Sequence, residues 1–222
     1  MIKWGKLPAE FQCDEIKPYY EILKKKKISR FFMRLFDIFM SFFPLLILSI
    51  FFIIIAILIK TTSKGPVFYR QVRVTRYGKD FRIFKFRTMV QDADKKGSLV
   101  TTKNDSRITG VGKFLRKTKL DELPQLINVF LGQMTFVGTR PEVRKYVDKY
   151  SNEMLATLLM PAGITSSASI KYKDEASLIE NATDVDEVYI NQILPDKMKY
   201  NLEDIKKYNF FRQIGLIFKT VL

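Results

Sequence analysis

The sequence predicts a mixed α/β, mainly helical domain that associates with a membrane, and three observations support this prediction. Residues 38–59 contain no charged side chain, residues 67–89 alternate like two short strands, and several later segments have helical spacing. The 222 residues are enough for one domain with an appendage. We therefore expect a membrane-associated segment followed by one folded domain.

The chain is strongly basic and contains no histidine. Its 38 Lys and Arg residues exceed its 23 Asp and Glu residues, and the formal net charge is +15. This excess favours an anionic partner, which could be nucleic acid, anionic lipid or a phosphorylated substrate. The lack of His excludes a Ser–His–Asp catalytic unit, and the single Cys13 excludes a Cys-cluster zinc site. Carboxylates are then the natural nucleophiles and metal ligands.

The N-terminal part of the chain divides into a basic arm and an apolar segment. Residues 1–30 predict a polar, basic arm or a surface helix, and residues 31–60 are long and apolar enough for a membrane helix. Basic residues flank this segment on both sides, which favours a helix that enters the bilayer, bends and returns. Pro44 and Ser49 could supply the bend. A single span with a tolerated proline agrees equally well with these features.

Two short strands, residues 67–74 and 80–89, predict a β-hairpin around a turn at residues 77–79. Alternation puts Lys85 and Arg87 on one strand face, where they could contact phosphate or remain solvated.

Further along, Asp105 and Arg107 lie in a turn-rich segment, and residues 111–116 predict a short helix. Residues 161–165 predict a second turn. The amphipathic residues 214–222 could lie on a membrane surface or dock against the domain.

The stretch from Lys117 to Glu142 is the most informative part of the sequence. Pro124 is tolerated in a helix only within the first turn, so we expect a helix that begins near Asp121 and stops at Gly132. Helical spacing predicts a buried face made of Leu123, Leu126, Ile127 and Phe130.

This geometry puts two adjacent carboxylates, Asp121 and Glu122, at the positive end of the helix. Arg116 comes just before them, and Arg140 follows in a Gly-Thr-Arg-Pro turn. Two carboxylates among cations suggest a divalent-metal or phosphate-transfer site. The alternative is that Asp121 is only a helix N-cap and Glu122 a first-turn charge.

Four segments, SKGPVFYRQ, FRIFKFRTM, NDSRITGVGKFLRKTKLDELPQLINVFLGQM and FVGTRPE, stand in the order of the bacterial sugar transferase family. The chain resembles the small monotopic phosphoglycosyl transferases of this family from about residue 34 to about residue 164. The resemblance implies a re-entrant helix–break–helix over residues 31–60 and therefore favours the bent helix over the single span. It also implies that residues 61–222 form a cytoplasmic catalytic domain with amphipathic interfacial helices.

The resemblance implies an activity as well. Family members move a sugar-1-phosphate from a nucleotide-diphosphate sugar, expected to be a UDP-sugar, to undecaprenyl phosphate or a related polyprenyl phosphate. This is the first membrane step of polysaccharide or glycoconjugate synthesis. The implied partners are the nucleotide sugar, undecaprenyl phosphate and the lipid bilayer, with no nucleic acid. The implied location is the cytoplasmic face of the bacterial inner membrane.

Residue by residue, Asp121 matches the family's nucleophile, and Glu122 matches its partner in an Asp-Glu dyad. The resemblance implies a covalent phosphosugar on Asp121 and Mg²⁺ held by both carboxylates. The expected substrate-binding residues are Lys85, Arg87, Asp105, Arg107, Arg116 and Arg140.

Three departures from the family pattern are expected to change the rigidity of the Arg140 turn, the position of the helix bend and, for the third, the choice of sugar or nucleotide. Thr139 replaces the first proline of Gly-Pro-Arg-Pro, the usual Ser-Pro helix break aligns with Ser49–Ile50, and residues 160–166 differ from the family's common Pro-Gly-Ile-Thr-Gly region. The sugar, the nucleotide and the presence of a homodimer therefore stay open. Two other functions also stay open: a non-catalytic, membrane-tethered basic protein that binds anionic lipid or nucleic acid, and an inactive scaffold.

Overall fold

Helices predominate in the computed structural model, which describes residues 1–93, 105–175 and 184–222. The helices of the N-terminal half are α1 (Lys17–Lys25), α2 (Lys27–Ile47), α3 (Ser49–Thr62), α4 (Gly110–Lys117) and α5 (Gln125–Phe130). Those of the C-terminal half are α6 (Arg144–Val147), α7 (Asn152–Leu155), α8 (Ser167–Lys171), α9 (Val185–Val188), α10 (Leu194–Lys206) and α11 (Phe210–Val221). The strands are β1 (Phe68–Val74), β2 (Asp80–Phe86), β3 (Met134–Val137) and β4 (Ala162–Thr165). This composition agrees with the predicted mixed α/β, mainly helical class.

The apolar segment forms two helices, α2 and α3, that meet at Leu48 with a bend of 62°. Pro44 lies inside α2, and its carbonyl accepts a 2.8 Å hydrogen bond from the Leu48 N–H. Within the described ranges no single helix is long and apolar enough to cross a bilayer. The two helices of the bent pair, taken together, have the length and composition of a membrane-crossing segment. The break therefore lies four residues after the proline and directly before Ser49.

Polar side chains of α2 attach the bent pair to the rest of the domain. Arg34 donates to the carbonyls of Val129 and Phe130, each at 2.7 Å, at the C-terminus of α5. Asp37 accepts a 3.1 Å hydrogen bond from the Phe136 N–H in β3. A cation at the last carbonyls of a helix is favourable because it satisfies acceptors that have no partner within the helix.

The predicted hairpin is confirmed, because β1 and β2 pair in antiparallel register. Tyr69 lies opposite Lys85, and Arg73 lies opposite Phe81. Opposite residues of an antiparallel pair share one face of the sheet. The face that carries Lys85 therefore also carries Tyr69 and Arg73.

The other edge of β2 is satisfied by a side chain instead of a third strand. Asn128 is fully buried in α5; its Oδ1 accepts from the Phe84 N–H at 2.8 Å, and its Nδ2 donates to the Arg82 carbonyl at 3.0 Å. Nδ2 also donates to Gln133 Oε1 at 2.7 Å. One amide thus reproduces the donor and acceptor of a neighbouring strand and holds β2 against α5.

Residues 161–165 do not form the predicted turn. They contain β4, which pairs in parallel with β3, with Met134 opposite Ala162 and Val137 opposite Thr165. The sequence signals Pro161 and Gly163 indicated a turn, but the extended backbone of this segment finds a partner that is distant in sequence. Long-range pairing of this kind overrides local turn chemistry.

The first 25 residues differ from the polar arm that the sequence predicts. Phe11, Ile16 and Leu23 are fully buried, and they pack in one cluster with Leu159 and Leu202. The charged residues of this segment point outward, whereas its scattered apolar residues meet the core, a pattern that sequence composition hides. The boundaries at residues 30 and 60 stay predictions.

Helix α5 is shorter and differently oriented than predicted. It begins at Gln125, not near Asp121, and Phe130 is 40 % exposed, with its ring 5.9 Å from that of Phe42 in α2. Leu126 is buried as predicted, Leu123 and Ile127 are half-buried, and Val129 is fully buried beside the amide of Asn128. The predicted buried face is therefore confirmed at Leu126 and wrong at Phe130, which contacts the bent helix pair.

The predicted stop at Gly132 is confirmed by its left-handed backbone, with φ of 76°. Gly132 N–H donates to Val129 O at 2.9 Å, and Gln133 N–H donates to Asn128 O at 3.0 Å. These two bonds form a Schellman cap, which requires a left-handed residue and favours glycine.

Replacing Asn128 with Ala should lower the free energy of unfolding by about 2–3 kcal/mol, because Arg82 O and Phe84 N lose their partner at the packed β2–α5 contact. Urea unfolding of the detergent-solubilised protein, followed by circular dichroism, measures this change. The control is Asn191→Ala, an exposed position that should change stability by less than about 0.5 kcal/mol. Equal effects of the two substitutions would contradict the role of Asn128.

Candidate active site

The two central carboxylates lie in a short 3₁₀ turn that joins α4 to α5. Helix α4 ends at Lys117, and Lys119 then adopts a left-handed backbone, with φ of 58° and ψ of 13°. The left-handed residue changes the direction of the chain, which continues as the 3₁₀ turn Leu120–Glu122. Because α5 begins only at Gln125, Asp121 is not its N-cap, and the simple capping interpretation is wrong.

Glu122 is held by two cations that come from distant elements. Lys85 Nζ of β2 lies 2.7 Å from Glu122 Oε1, and Arg140 Nη2 lies 3.6 Å from the same oxygen. Burial alone would raise the pKa of Glu122, but the charges of Lys85 and Arg140 lower it to about 2. Glu122 is therefore ionised and paired.

Asp121 has the opposite environment. Its Oδ1 is buried and has no hydrogen-bond partner within the described residues. Burial raises the pKa of Asp121, and the neighbouring charge of Glu122 raises it further, while Lys85 and Arg116 act in the other direction. The two adjacent carboxylates are thus different: Glu122 is paired with cations, and Asp121 has a buried oxygen without a hydrogen-bond partner among the described residues.

Asp121 lines a cavity of about 600 Å³ beside the β-hairpin. The other predicted site residues that line it are Lys85, Arg87, Arg107 and Arg116. Its charged lining also includes Arg70, Arg73 and Asp92, so cations outnumber acids six to two among the described lining residues. Such a cavity favours an anion of several charges. Glu122, Arg140 and Asp105 lie outside the lining.

Two of the predicted cations are fixed by protein acceptors. Arg87 donates to the carbonyls of Lys64 and Ser63, both at 2.8 Å, and so ties the end of β2 to the segment after α3. Arg107 forms an ion pair of 2.6 Å with Asp105, whose pKa is lowered to about 2 by the hydrogen bonds from Arg107. Asp105 therefore orients the guanidinium of Arg107. Direct contacts of Arg87, Asp105 and Arg107 with substrate stay predictions.

The turn that carries Arg140 is held by a close backbone approach. Gly138 N–H donates to Thr165 O at 2.9 Å, and Gly163 N–H donates to Thr139 O at 2.8 Å. A Cβ at Gly163 would lie 2.1 Å from the Gly138 nitrogen. Only glycine fits at this position, and the contact directs Arg140 toward Glu122.

Behind this turn lies a buried polar network that sequence reasoning did not identify. Glu142 Oε1 accepts a 2.6 Å hydrogen bond from Tyr189 Oη and lies 3.7 Å from Lys197 Nζ. Lys197 Nζ also lies 2.7 Å from Glu175 Oε2. The sequence offered one indication of this network, which was Glu142 at the end of the FVGTRPE segment. Its partners could not be identified because they lie more than 30 residues further along the chain.

Arg73 was also missed as a site residue. It lines the cavity, donates to the Pro141 carbonyl at 3.1 Å, and lies 4.0 Å from Glu142. The predicted hairpin contained the signal, because strand alternation together with pairing puts Arg73 on the same face as Lys85.

Replacing Glu122 with Gln should lower the free energy of unfolding by about 1–3 kcal/mol, because Lys85 then lacks its charged partner. Replacing Asp121 with Asn should leave stability unchanged or raise it, since Oδ1 has no partner to lose. Both changes are measured by urea unfolding in detergent at pH 7 with a chelator present. If Asp121→Asn destabilises as much as Glu122→Gln, the two carboxylates do not differ as described.

Comparison with known proteins identifies the family. The model of the bacterial sugar transferase family matches residues 28–222. The UDP-glucose:undecaprenyl-phosphate glucose-1-phosphate transferase of Klebsiella pneumoniae is 37 % identical over 198 residues, covering 87 % of this chain and 40 % of that protein. The UDP-N-acetylgalactosamine-undecaprenyl-phosphate N-acetylgalactosaminephosphotransferase of Aeromonas hydrophila is 36 % identical over 170 residues, covering 75 % and 37 %.

A third relative, the undecaprenyl-phosphate galactose phosphotransferase of Salmonella typhimurium, is 34 % identical over 210 residues, covering 88 % of this chain and 40 % of that protein. The chain thus spans about two fifths of the length of these three relatives. Their names contain three different sugars. The family match covers most of the chain and includes the whole dyad region, and the chain belongs to the bacterial sugar transferase family.

Proposed function

We propose that this chain transfers a sugar-1-phosphate from a nucleotide-diphosphate sugar, with UDP-sugars as first candidates, to undecaprenyl phosphate. The observation that carries this proposal is the unequal carboxylate pair. Glu122 is neutralised by Lys85 and Arg140, whereas Asp121 lines a basic cavity and has one buried carboxylate oxygen without a hydrogen-bond partner among the described residues. The names of the relatives support the same donor and acceptor classes.

In the first step, a carboxylate oxygen of Asp121 attacks the phosphorus that carries the sugar. An oxygen–phosphorus bond forms, and the bond between that phosphorus and the oxygen bridging the two phosphates breaks. The nucleoside monophosphate leaves with the bridging oxygen and its electron pair. The product on the enzyme is a phosphosugar attached to Asp121.

In the second step, an oxygen of undecaprenyl phosphate attacks the same phosphorus and displaces Asp121. The carboxylate is regenerated, and the product is undecaprenyl diphosphate sugar. Because the monophosphate leaves before the lipid reacts, turnover is of the ping-pong type.

Attack by an anion on a diphosphate requires that the charge of the phosphates be offset. Arg87, Arg107 and Arg116 line the cavity and supply positive charge there, and Lys85 also lines it, although its charge is shared with Glu122. Asp105 keeps the guanidinium of Arg107 oriented. Arg140 lies outside the lining of the cavity, and its charge is also shared with Glu122.

Asp121 and Glu122 also fit Mg²⁺, which proteins commonly hold by one or two carboxylates together with substrate phosphates. Within the described ranges no group of three or more acidic, His or Cys side chains could hold a metal ion, so this pair would leave most ligand positions to phosphate and water. Bound Mg²⁺ supplies positive charge at the phosphates. The unpartnered Oδ1 of Asp121 supports this assignment.

We further propose that the α2–α3 pair enters the bilayer from the cytoplasmic face of the bacterial inner membrane and returns to it. Large apolar side chains on both sides of the bend are exposed, including Ile47 at 74 % and Ile50 at 71 %. Helix α11 adds Phe211, which is 83 % exposed. Exposed apolar residues on neighbouring elements support burial in lipid.

The transfer proposal is tested with detergent-purified protein, undecaprenyl phosphate, Mg²⁺ and a panel of nucleotide sugars. The wild type should release nucleoside monophosphate, and Asp121→Asn should lower the rate by at least about a thousandfold, because the amide is not a nucleophile. The control is Asp148→Asn, an exposed position that should retain full activity.

Mass spectrometry of active enzyme incubated with donor alone tests the covalent step. The peptide that contains Asp121 should gain the mass of the phosphosugar. Turnover without this added mass, or turnover by Asp121→Asn, would remove Asp121 from the nucleophile role. A wild type that releases no monophosphate from any donor would favour the non-catalytic function.

Cysteine labelling tests the membrane topology. In a Cys13→Ala background, Lys26→Cys and Lys60→Cys introduce exposed thiols at the two ends of the α2–α3 pair. Neither thiol should react with a membrane-impermeant maleimide in intact bacteria, and both should react after permeabilisation. Labelling of one end in intact cells would establish a single span.

A further inference from the structure

A second cavity, of about 520 Å³, lies between the N-terminal segment, α2 and the end of α10. Its lining includes six basic side chains: Lys3, Lys24, Lys27, Arg30, Arg34 and Arg76. Asp37 is the sole acid among the described lining residues. This cavity shares none of its described residues with the one that contains Asp121.

The positive charge of this second cavity is largely uncompensated. Lys3, Lys27 and Arg76 have no ion pair within the described part of the chain, while Asp37 is already engaged by the Phe136 N–H. Arg30 donates to the Leu23 carbonyl at 2.9 Å. Burial lowers the pKa of Arg30, and the charge of Arg76 adds to this effect, although nearby tyrosines oppose it. Like charges are therefore gathered in a partly buried space.

A separate observation points to a ligand in this space. Tyr208 lines the cavity and is only 4 % exposed, yet its hydroxyl has no hydrogen-bond partner within the described residues. A buried hydroxyl is normally paired, and its most economical partner here is an acceptor atom in the cavity. Because six basic side chains and one acid line the cavity, its charge favours an anionic acceptor.

The cavity lies where the N-terminal segment meets the apolar surface of α2. Phe31 lines it and is 63 % exposed, and the exposed apolar side chains of α2 continue from there. Lys3, Lys24 and Lys27 precede residue 28, where the family match begins. Half of the basic lining thus comes from outside the matched region.

We propose that this cavity binds a phosphate group with net negative charge, as found in an anionic phospholipid headgroup or in free phosphate. Lys27 and Arg76 would donate charge-assisted hydrogen bonds to the phosphate oxygens, and the hydroxyl of Tyr208 would donate another. The neighbouring Phe31 surface suits the acyl chains of a lipid. The site requires no sugar and no transfer chemistry.

The test measures thermal unfolding of the purified full chain in a non-ionic detergent. Dihexanoyl phosphatidylglycerol, at about a hundred times its Kd, should raise Tm by about 5 °C or more, and dihexanoyl phosphatidylcholine should not. The double variant Lys27→Gln/Arg76→Gln should bind phosphatidylglycerol at least about tenfold more weakly. The control Lys6→Gln/Lys79→Gln removes the same charge from exposed positions and should bind as the wild type does.

Tyr208→Phe separates ligand binding from a structural role. The ring stays in place and no protein partner is lost, so the unliganded Tm should be unchanged or higher, while the phosphatidylglycerol shift should fall. Inorganic phosphate identifies the source: a shift with phosphatidylglycerol alone assigns the site to lipid, and a shift with both assigns it to phosphate on any carrier.

Equal shifts with the two lipids, or a full shift in either the double variant or Tyr208→Phe, would overturn the proposal. Asp121→Asn should keep the full phosphatidylglycerol shift. The result of the phosphatidylglycerol binding test is therefore independent of the transfer reaction, which we assign to the cavity that Asp121 lines.

Discussion

The ion pair between Lys85 and Glu122 is the interaction on which the candidate site depends. It joins β2 to the 3₁₀ turn between α4 and α5, and with Arg140 it satisfies one member of the carboxylate pair. Two adjacent acids of similar chemistry thereby acquire different states, since Glu122 is neutralised and Asp121 has a buried oxygen that finds no hydrogen-bond partner in the described ranges. This difference suits a site in which a carboxylate attacks a phosphate. Because Lys85 and Arg140 offset the charge of Glu122, that residue adds little repulsion toward an anionic substrate.

Three local devices hold the partners of this ion pair in position, and each comes from a different part of the fold. Asn128 replaces a missing strand at the edge of β2 and so fixes the strand that carries Lys85. The left-handed backbone at Lys119 turns the chain so that Glu122 meets that strand. The contact between Gly138 and Gly163 fixes the turn that precedes Arg140. Left-handed backbone at a residue other than glycine is unfavourable, and its occurrence at Lys119, two residues before Asp121, agrees with strain concentrated at a functional site.

The bent helix pair is part of the domain and not an independent anchor. Arg34 caps α5, and Asp37 binds β3, so these two charged residues of α2 connect the bent helix pair to the elements that frame the site. The same region borders a second basic cavity, in which residues before position 28 supply half of the cations. The two cavities have the same sign of charge but different neighbours. Among the described residues, Asp121 beside the first cavity has a carboxylate oxygen without a partner, and Tyr208 beside the second has a hydroxyl without a partner next to an apolar surface, so the first suits chemistry and the second suits binding.

Local patterns were sufficient for some of the elements of this protein. They predicted the apolar segment, the hairpin and the stop at Gly132, and they identified Asp121 and Glu122 as the residues of interest, because periodicity, turn chemistry and adjacent charges are properties of short stretches. The same patterns could not determine which carboxylate is paired, since Lys85 and Glu122 are 37 residues apart in the chain. Nor could they reveal β4 as a strand, Arg73 as a cavity residue or Tyr208 as an unsatisfied hydroxyl. Partners, burial and unmet hydrogen bonds arise only when distant segments pack together, and these features separate a charged stretch from a site.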